Sequence, residues 1–358
     1  MSRVRVLITD DSAFMRQVVT RALEGDPRFE VVGTAASGED AVEQCRKLRP
    51  DVVTMDFNMP GMNGAEATRA ILAERPVPVV MLSAHTAQGA KETLQALDAG
   101  AVDFVTKPNG EVSAHLGEAK AELVEKLLAA AGANVAALVP RSAEKPRRAE
   151  PEAARSGPLS SRRFSPTAQQ HHLVVIASST GGPQALLSVV PRLRLPSRAA
   201  LIIVQHMPDG FTAALAEQLS EAAGFAVREA RAGDQVSPGM AVVAPGGTHL
   251  LLDRGARVQL RADAPVHGVR PAADPTLVSA AQCFGSRAIG VVLTGMGRDG
   301  AKGLAAVKAG GGATLAQDKA SSLVYGMPKA AVELGVVDTV SPLDRIAAVI
   351  NRWLDAPQ

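Results

Sequence analysis

The chain has 358 residues, with 38 Lys+Arg against 36 Asp+Glu, a single Trp and a single Tyr. That length suits two domains of ordinary size, and the balanced charge offers neither the basic field nor the stacking platform that a nucleic-acid partner requires. The two cysteines, Cys45 and Cys283, are too far apart for a CxxC motif and suggest no disulfide framework. MSRVRVLITDDS lacks a signal-peptide pattern, and no apolar run approaches the ~20 residues of a membrane span. A cytoplasmic protein without membrane insertion is expected.

From the N-terminus, VRVLITD, FEVVGTA, DVVTMDF, VPVVMLSA and AVDFVTK read as strands. Between and after them helices are expected over 12–23, from Gly38, from Gly64, over 88–99 and over 118–131. Five such units over residues 1–130 predict a doubly wound, five-stranded parallel sheet covered on both faces. Sheets of this kind bind ligands at the carboxyl ends of their strands. The sequence delivers Asp10 and Asp11, Asp56, Ser83 and Lys107 there. Three converging carboxylates repel unless a hard divalent cation joins them, and Mg²⁺ is the cation expected. Lys107 adds a fixed positive charge and Ser83 a hydroxyl, a setting that suits Asp56 as nucleophile in an in-line attack on a phosphoryl group.

Taken together these residues resemble the receiver domain of response regulators. The resemblance implies phosphorylation at Asp56, Mg²⁺ held by Asp10, Asp11, Asp56 and the Asn58 carbonyl, and a phosphoryl group read by Ser83 and Lys107. It also implies a cis Lys107–Pro108 peptide and a switch aromatic at Phe104. Asn58 and Asn63 stand where acidic residues are commoner in the family, changes that leave phosphorylation chemistry intact and bear on how long the phosphate persists.

Residues 141–170, RSAEKPRRAEPEAARSGPLSSRRFSPTAQQ, are rich in Pro, Ser, Ala and charge with almost nothing to bury. They mark a flexible linker, assigned to 131–170. Beyond it, residues 171–356 resume the alternation. HLVVIAS, ALIIVQH and FAVREA are followed by a hairpin-like pair, MAVVAPGGTHLLLD with RVQLRA, and then by AIGVVLTG, GATLAQD and GVVDTV. A second doubly wound, mostly parallel α/β domain with an antiparallel hairpin is expected.

Two glycine turns in this half compete for the chemistry. LTGMGRDGAKGL spaces Gly295, Gly297 and Gly300 as a dinucleotide-binding loop, with Asp318 where a ribose-binding acid would lie. Against that, Asp299 falls at the helix N-terminus where a pyrophosphate belongs and would repel it. The rival reading makes Asp299 functional: Ser178 and Ser179, His206 and Asp299 arrive at three strand ends of one sheet edge, supplying nucleophile, general base and orienting acid. Gly181 and Gly182 would then leave backbone amides uncovered for an oxyanion, while Gly295 and Gly297 let the loop carrying Asp299 approach the histidine closely. The order Ser, His, Asp and the lack of a G-x-S-x-G elbow disfavour an ordinary lipase or esterase.

ASSTGGPQAL, VQHMPDGFTAAL, APGGTHLLL, LTGMGRDGAKGL and AQDKASSLVYGMPKAA look like successive motifs of the chemotaxis protein-glutamate methylesterases. This resemblance spans nearly the whole chain, receiver and linker included. It implies Ser179 as nucleophile with Ser178 a bystander, His206 and Asp299 as the other triad members, and Thr180 and Met296 at the oxyanion site. The segment HGVRPAADPTL departs from the family's His-x-Pro-Ser-Val-Asp pattern, with Val269 at the histidine and Ala272 at the serine. The implied activity is hydrolysis of glutamyl methyl esters, and deamidation of glutamines, on methyl-accepting chemotaxis receptors, with a chemotaxis histidine kinase as phosphodonor and no cofactor for the ester chemistry. A non-catalytic two-component regulator with an α/β binding module is the competing expectation.

Overall fold

The computed structural model describes residues 3–84, 86–107, 115–137, 171–195 and 199–356, without the side chains of 115–119 and 137. Pro108, and with it the expected cis Lys107–Pro108 bond, lies outside the described residues, as do residues 138–170 of the expected linker 131–170. The first residues of that linker instead pack on the second half, with Asn134 N donating to the Leu323 carbonyl at 2.9 Å and Val135 buried.

The first half runs β1 (Val4–Thr9), α1 (Ala13–Glu24), β2 (Phe29–Ala35), α2 (Gly38–Leu48), β3 (Val52–Asp56), α3 (Gly64–Glu74), β4 (Val79–Ser83), α4 (Ala87–Asp98), β5 (Asp103–Thr106) and α5 (His115–Ala131). The sheet order is β2-β1-β3-β4-β5 and every pairing is parallel. Side-chain caps fix where the helices begin: Ser12, Ser37, Asn63 and Thr86 each accept a backbone N–H of the first turn. Asn63 forms a full capping box with Glu66, so amide replaces carboxylate at that position without loss of the cap.

The second half runs β6 (His172–Ser178), α6 (Gly182–Val189), β7 (Ala199–Gln205), α7 (Phe211–Ala222), β8 (Arg228–Glu229), β9 (Ala241–Val243), β10 (His249–Leu252), β11 (Val258–Arg261), α8 (Ala273–Phe284), β12 (Ala288–Val292), α9 (Ala301–Ala309), β13 (Ala313–Gln317), α10 (Met327–Glu333), β14 (Thr339–Ser341) and α11 (Leu343–Asp355). Seven strands form a parallel sheet in the order β14-β13-β12-β6-β7-β9-β8, and β10 pairs β11 antiparallel beside it. The expected hairpin thus divides: AVV of MAVVAPGG joins the large sheet as β9, the Pro245-Gly246-Gly247 turn breaks the strand, and only HLLL pairs with VQLR. All seven residues of β7 are buried, as expected of a strand covered by helices on both faces. Each such Leu, Ile or Val contributes about 1.5–3 kcal/mol by leaving water.

Candidate active site and phosphoacceptor site

In the first half, Asp56 ends β3, Ser83 ends β4, Asp10 follows β1 and Lys107 follows β5. Lys107 Nζ lies 2.8 Å from Asp10 Oδ2 and 2.8 Å from Asp56 Oδ1. Oxygens of Asp10, Asp11 and Asp56 lie within 4.8 Å of one another. Burial, with Asp10 adding to it, raises the Asp56 pKa in spite of Lys107. For Lys107, burial acts downward, but the hydrogen bonds and charges of Asp10 and Asp56 outweigh it and its pKa rises. Three carboxylates against one ammonium leave a surplus of negative charge on hard oxygen donors, which fits Mg²⁺. Arg16 Nη1 donates to the Asp10 and Asp11 carbonyls and holds that loop. The Asn58 side chain donates to Glu92 at 2.8 Å.

The Ser83 hydroxyl is engaged away from this cluster. It lies 2.6 Å from Thr93 Oγ1 and 3.2 Å from the Gly89 carbonyl, both in α4. Sequence inspection does not reveal that bond, because Thr93 reads simply as a buried helix position.

In the second half, β6 and β7 are paired with Ser178 opposite Gln205, and the His206 N–H donates to the Ser178 carbonyl at 3.1 Å. Ser179 and His206 therefore leave adjacent strands at the same level. Asp299 arrives from the loop after β12, and His206 Nε2 donates to Asp299 Oδ2 at 2.7 Å. That leaves Nδ1 as the nitrogen available to act as base. The Asp299 carboxylate is buried and also accepts from Ala273 N at 2.6 Å, Asp274 N at 2.9 Å and Gly300 N at 2.9 Å. Burial alone would raise its pKa, yet the His206 bond and charge and the backbone donors lower it, so the carboxylate stays ionised. The Gly300 N–H at the start of α9 is one a pyrophosphate would need, the Asp299 carboxylate occupies that position, and Asp318 closes its own turn onto Ser321. The dinucleotide reading loses that donor and its ribose-binding acid.

Ser178 Oγ donates to Gln205 Oε1 at 2.7 Å and is buried, whereas Ser179 remains partly exposed. A Cβ on Gly295 would lie 2.8 Å from the Ser179 Cβ, so this glycine admits the loop to the serine rather than to the histidine. Gly297 is required for another reason, its φ of +86°.

The expected free amides at Gly181 and Gly182 are engaged here: Gly182 N donates to Ser179 O, and Gly181 N donates to the Val102 carbonyl of the first half. Thr180 Oγ1 likewise donates to Asp103, and Gln184 Nε2 to the Leu97 and Ala101 carbonyls at 2.9 and 2.7 Å. Phe104 stacks on Phe211, and Lys91 pairs with Glu217 at 3.5 Å. The face made by α4 and β5 therefore lies directly on the serine turn and α7, at the carboxyl edge of the large sheet. Met296 is partly buried and directly follows Gly295, whose Cβ position lies against Ser179. Apart from the Gly182–Ser179 turn bond, none of these contacts has a local sequence signal, because each joins segments more than 70 residues apart.

Comparison with known proteins agrees with this geometry. A family model described as a response regulator receiver domain matches residues 6–115, and one described as CheB methylesterase matches residues 174–350. A relative from Symbiobacterium thermophilum is 48% identical over 352 residues, 98% of this chain and 96% of its own. One from Pyrococcus abyssi is 44% identical over 356 residues, covering 99% and 94%. Both are named protein-glutamate methylesterase/protein-glutamine glutaminase. The crystal structure of the Thermotoga maritima CheB methylesterase catalytic domain is 42% identical, with a TM-score of 0.50, and covers 51% of this chain and 98% of that one.

Fold and matches define a response regulator whose output domain is a hydrolytic enzyme. The chain belongs to the CheB methylesterase family and carries that family's receiver and methylesterase domains in one polypeptide. No helix among the described residues is long and apolar enough to cross a membrane.

Proposed function

We propose that the protein demethylates glutamyl methyl esters, and deamidates glutamines, on methyl-accepting chemotaxis receptors in the cytoplasm, with Ser179, His206 and Asp299 as its triad. The observation that carries this reading is the 2.7 Å His206–Asp299 pair at the strand end next to Ser179. His206 takes the Ser179 proton as Oγ attacks the ester carbonyl. Asp299 holds the ring and stabilises the imidazolium, and methanol leaves with the proton that His206 returns. Water, deprotonated by His206, then releases the glutamate and frees Ser179. Backbone donors near Thr180 and Met296 bind the developing oxyanion.

The receiver governs access. A histidine kinase of the chemotaxis system phosphorylates Asp56, and Ser83 and Lys107 read the phosphoryl group. Asp10, Asp11 and Asp56 with the Asn58 carbonyl would hold Mg²⁺, which when bound neutralises charge on the phosphoryl oxygens. The contacts of Val102, Asp103 and Phe104 with Gly181, Thr180 and Phe211 support relief of occlusion as the route of activation. Boundaries near 130 and 170 for receiver, linker and catalytic domain belong to this reading; the family matches, over 6–115 and 174–350, fall inside the two outer segments.

Methanol release from methylated receptor membranes tests the reading. The parent protein is expected to release methanol and Ser179→Ala to release none; a Ser179→Ala protein that works at the parent rate would remove Ser179 as nucleophile.

A further inference from the structure

The segment that departs from the family pattern brings a second histidine to the catalytic carboxylate. Val266 and Val269 exchange both backbone hydrogen bonds, at 3.2 and 3.1 Å, and close a two-residue turn over His267 and Gly268. Both turn residues have positive φ, +55° for His267 and +77° for Gly268, as a type I′ turn demands. A β-carbon in that region costs on the order of 1 kcal/mol, and Gly or Asn would suit it better. The other described non-glycine residues with positive φ, Arg49 and Ala256, terminate α2 and close the turn between β10 and β11.

From this strained position His267 Nε2 donates to Asp274 Oδ2 at 2.8 Å. Asp274 is buried, its Oδ1 accepts the Gly303 N–H at 2.7 Å, and its own N–H donates to Asp299 Oδ1 at 2.9 Å. One ring nitrogen of His267 and one oxygen each of Asp274 and Asp299 lie within 4.8 Å of one another. The turn is anchored independently: Arg270 Nη1 donates to the Ala262 and Asp263 carbonyls, and His249 bridges Ala264 O and Ala272 N. Fold alone therefore does not call for an imidazole at 267.

Resting on the triad reading above, we propose that His267 is a positioning residue for the hydrolysis. It holds the Asp274 carboxylate in place, and through the first turn of α8 and the start of α9 it fixes Asp299 against His206. Without it, a buried carboxylate oxygen loses its side-chain donor and turns toward water or another N–H. The backbone donors of Ala273 and Asp274 move with it, and misplacing a catalytic group by a fraction of an ångström slows the chemical step while leaving substrate affinity largely intact.

Two substitutions separate this role from mere support of the turn. The Gln side-chain nitrogen can reach about where His Nε2 lies, so His267→Gln keeps the donor; Asn suits positive φ but is too short to reach Asp274. In the full chain, phosphorylated and assayed on methylated receptor membranes, His267→Asn is expected to lower kcat about tenfold with KM within about twofold. Relief of the strained φ and loss of the Asp274 hydrogen bond oppose one another, so its melting temperature should stay close to the parent's, and His267→Gln should recover most of the rate. Parent-like kcat in His267→Asn, a raised KM with unchanged kcat, or a melting temperature that falls with kcat would each overturn the proposal. Ser179→Ala is measured alongside: if it is inactive while His267→Asn is fully active, this proposal alone fails, whereas an active Ser179→Ala protein removes the triad reading itself.

Discussion

Phe104 of the receiver and Phe211 of the catalytic domain stack with ring centroids 4.6 Å apart and planes 17° from parallel. Phe104 stands three residues before Lys107, which bridges Asp10 and Asp56, and Phe211 is the first residue of α7, which follows His206 by a short loop. One ring pair thus joins the strand that leads to Lys107 to the strand exit that carries the imidazole. A stacked pair is worth about 0.5–1.5 kcal/mol beyond its buried area.

Phe104→Ala should therefore open the closed arrangement without phosphorylation. About 1 kcal/mol corresponds to roughly a fivefold change in the closed-to-open ratio. Methanol release by the unphosphorylated variant is expected to rise several-fold above the unphosphorylated parent, with a smaller further increase on adding phosphodonor. An unchanged basal rate would argue that the receiver activates by contributing contacts and not by leaving.

The two adjacent serines should behave oppositely. Ser178 Oγ donates to Gln205 in a buried site, so Ser178→Ala leaves a glutamine oxygen short of its partner and costs about 1–3 kcal/mol of stability. Turnover should persist. Thermal denaturation and methanol release measured on the same sample distinguish this from Ser179→Ala, which is expected to melt like the parent and to turn over nothing.

Asp299→Asn should reduce kcat by roughly 10³–10⁴-fold, because an amide cannot stabilise the imidazolium or hold the required tautomer. Stability changes with pH in a defined direction. The folded pKa of Asp299 lies below its ordinary value of 3.8, so its ionised form stabilises the fold fully above that value and the contribution is lost as pH falls through the lower folded pKa. Acid melting curves of the parent should fall more steeply below about pH 4 than those of Asp299→Asn. Parallel curves would mean that the four donors do not favour the ionised carboxylate.

At Asp56 the sign reverses. Burial and the neighbouring Asp10 raise its folded pKa, so its ionised form at neutral pH weighs against the fold and protonation relieves that penalty as pH falls toward the raised value. Asp56→Asn is expected to melt above the parent at pH 7, with the gap narrowing in acid. Mg²⁺ should raise the parent's melting temperature by mass action and do less for the variant. The variant should also lose all response to phosphodonor. A response that survives the substitution would move the phosphoacceptor elsewhere.

Much of this protein was legible along the chain. Apolar runs ending in Asp56, Ser83 and His206 placed those groups at strand ends, because a strand buried on both faces must be continuously apolar and its first polar residues mark the exit. The helices expected over 12–23, from Gly38, from Gly64 and over 88–99 begin within a residue of those positions, and in the structure Ser12, Ser37, Asn63 and Thr86 satisfy the unpaired N–H groups of their first turns. The split of MAVVAPGGTHLLLD between two sheets was not legible. Alternation shows that a segment is extended and leaves its pairing partner open, and Ala241–Val243 found β7 and β8 rather than RVQLR.

By itself the sequence determined two parallel sheets, their polar edges and the chemistry gathered there, since hydrophobic period and residue type act over a few residues at a time. Only the tertiary structure decided which donors are free. It tied Ser83 to Thr93, gave Gly181 and Thr180 to Val102 and Asp103, and brought His267 through Asp274 to Asp299. These bonds depend on how helices and loops distant in the chain pack against one another, and a buried polar atom takes whichever partner that packing brings within reach.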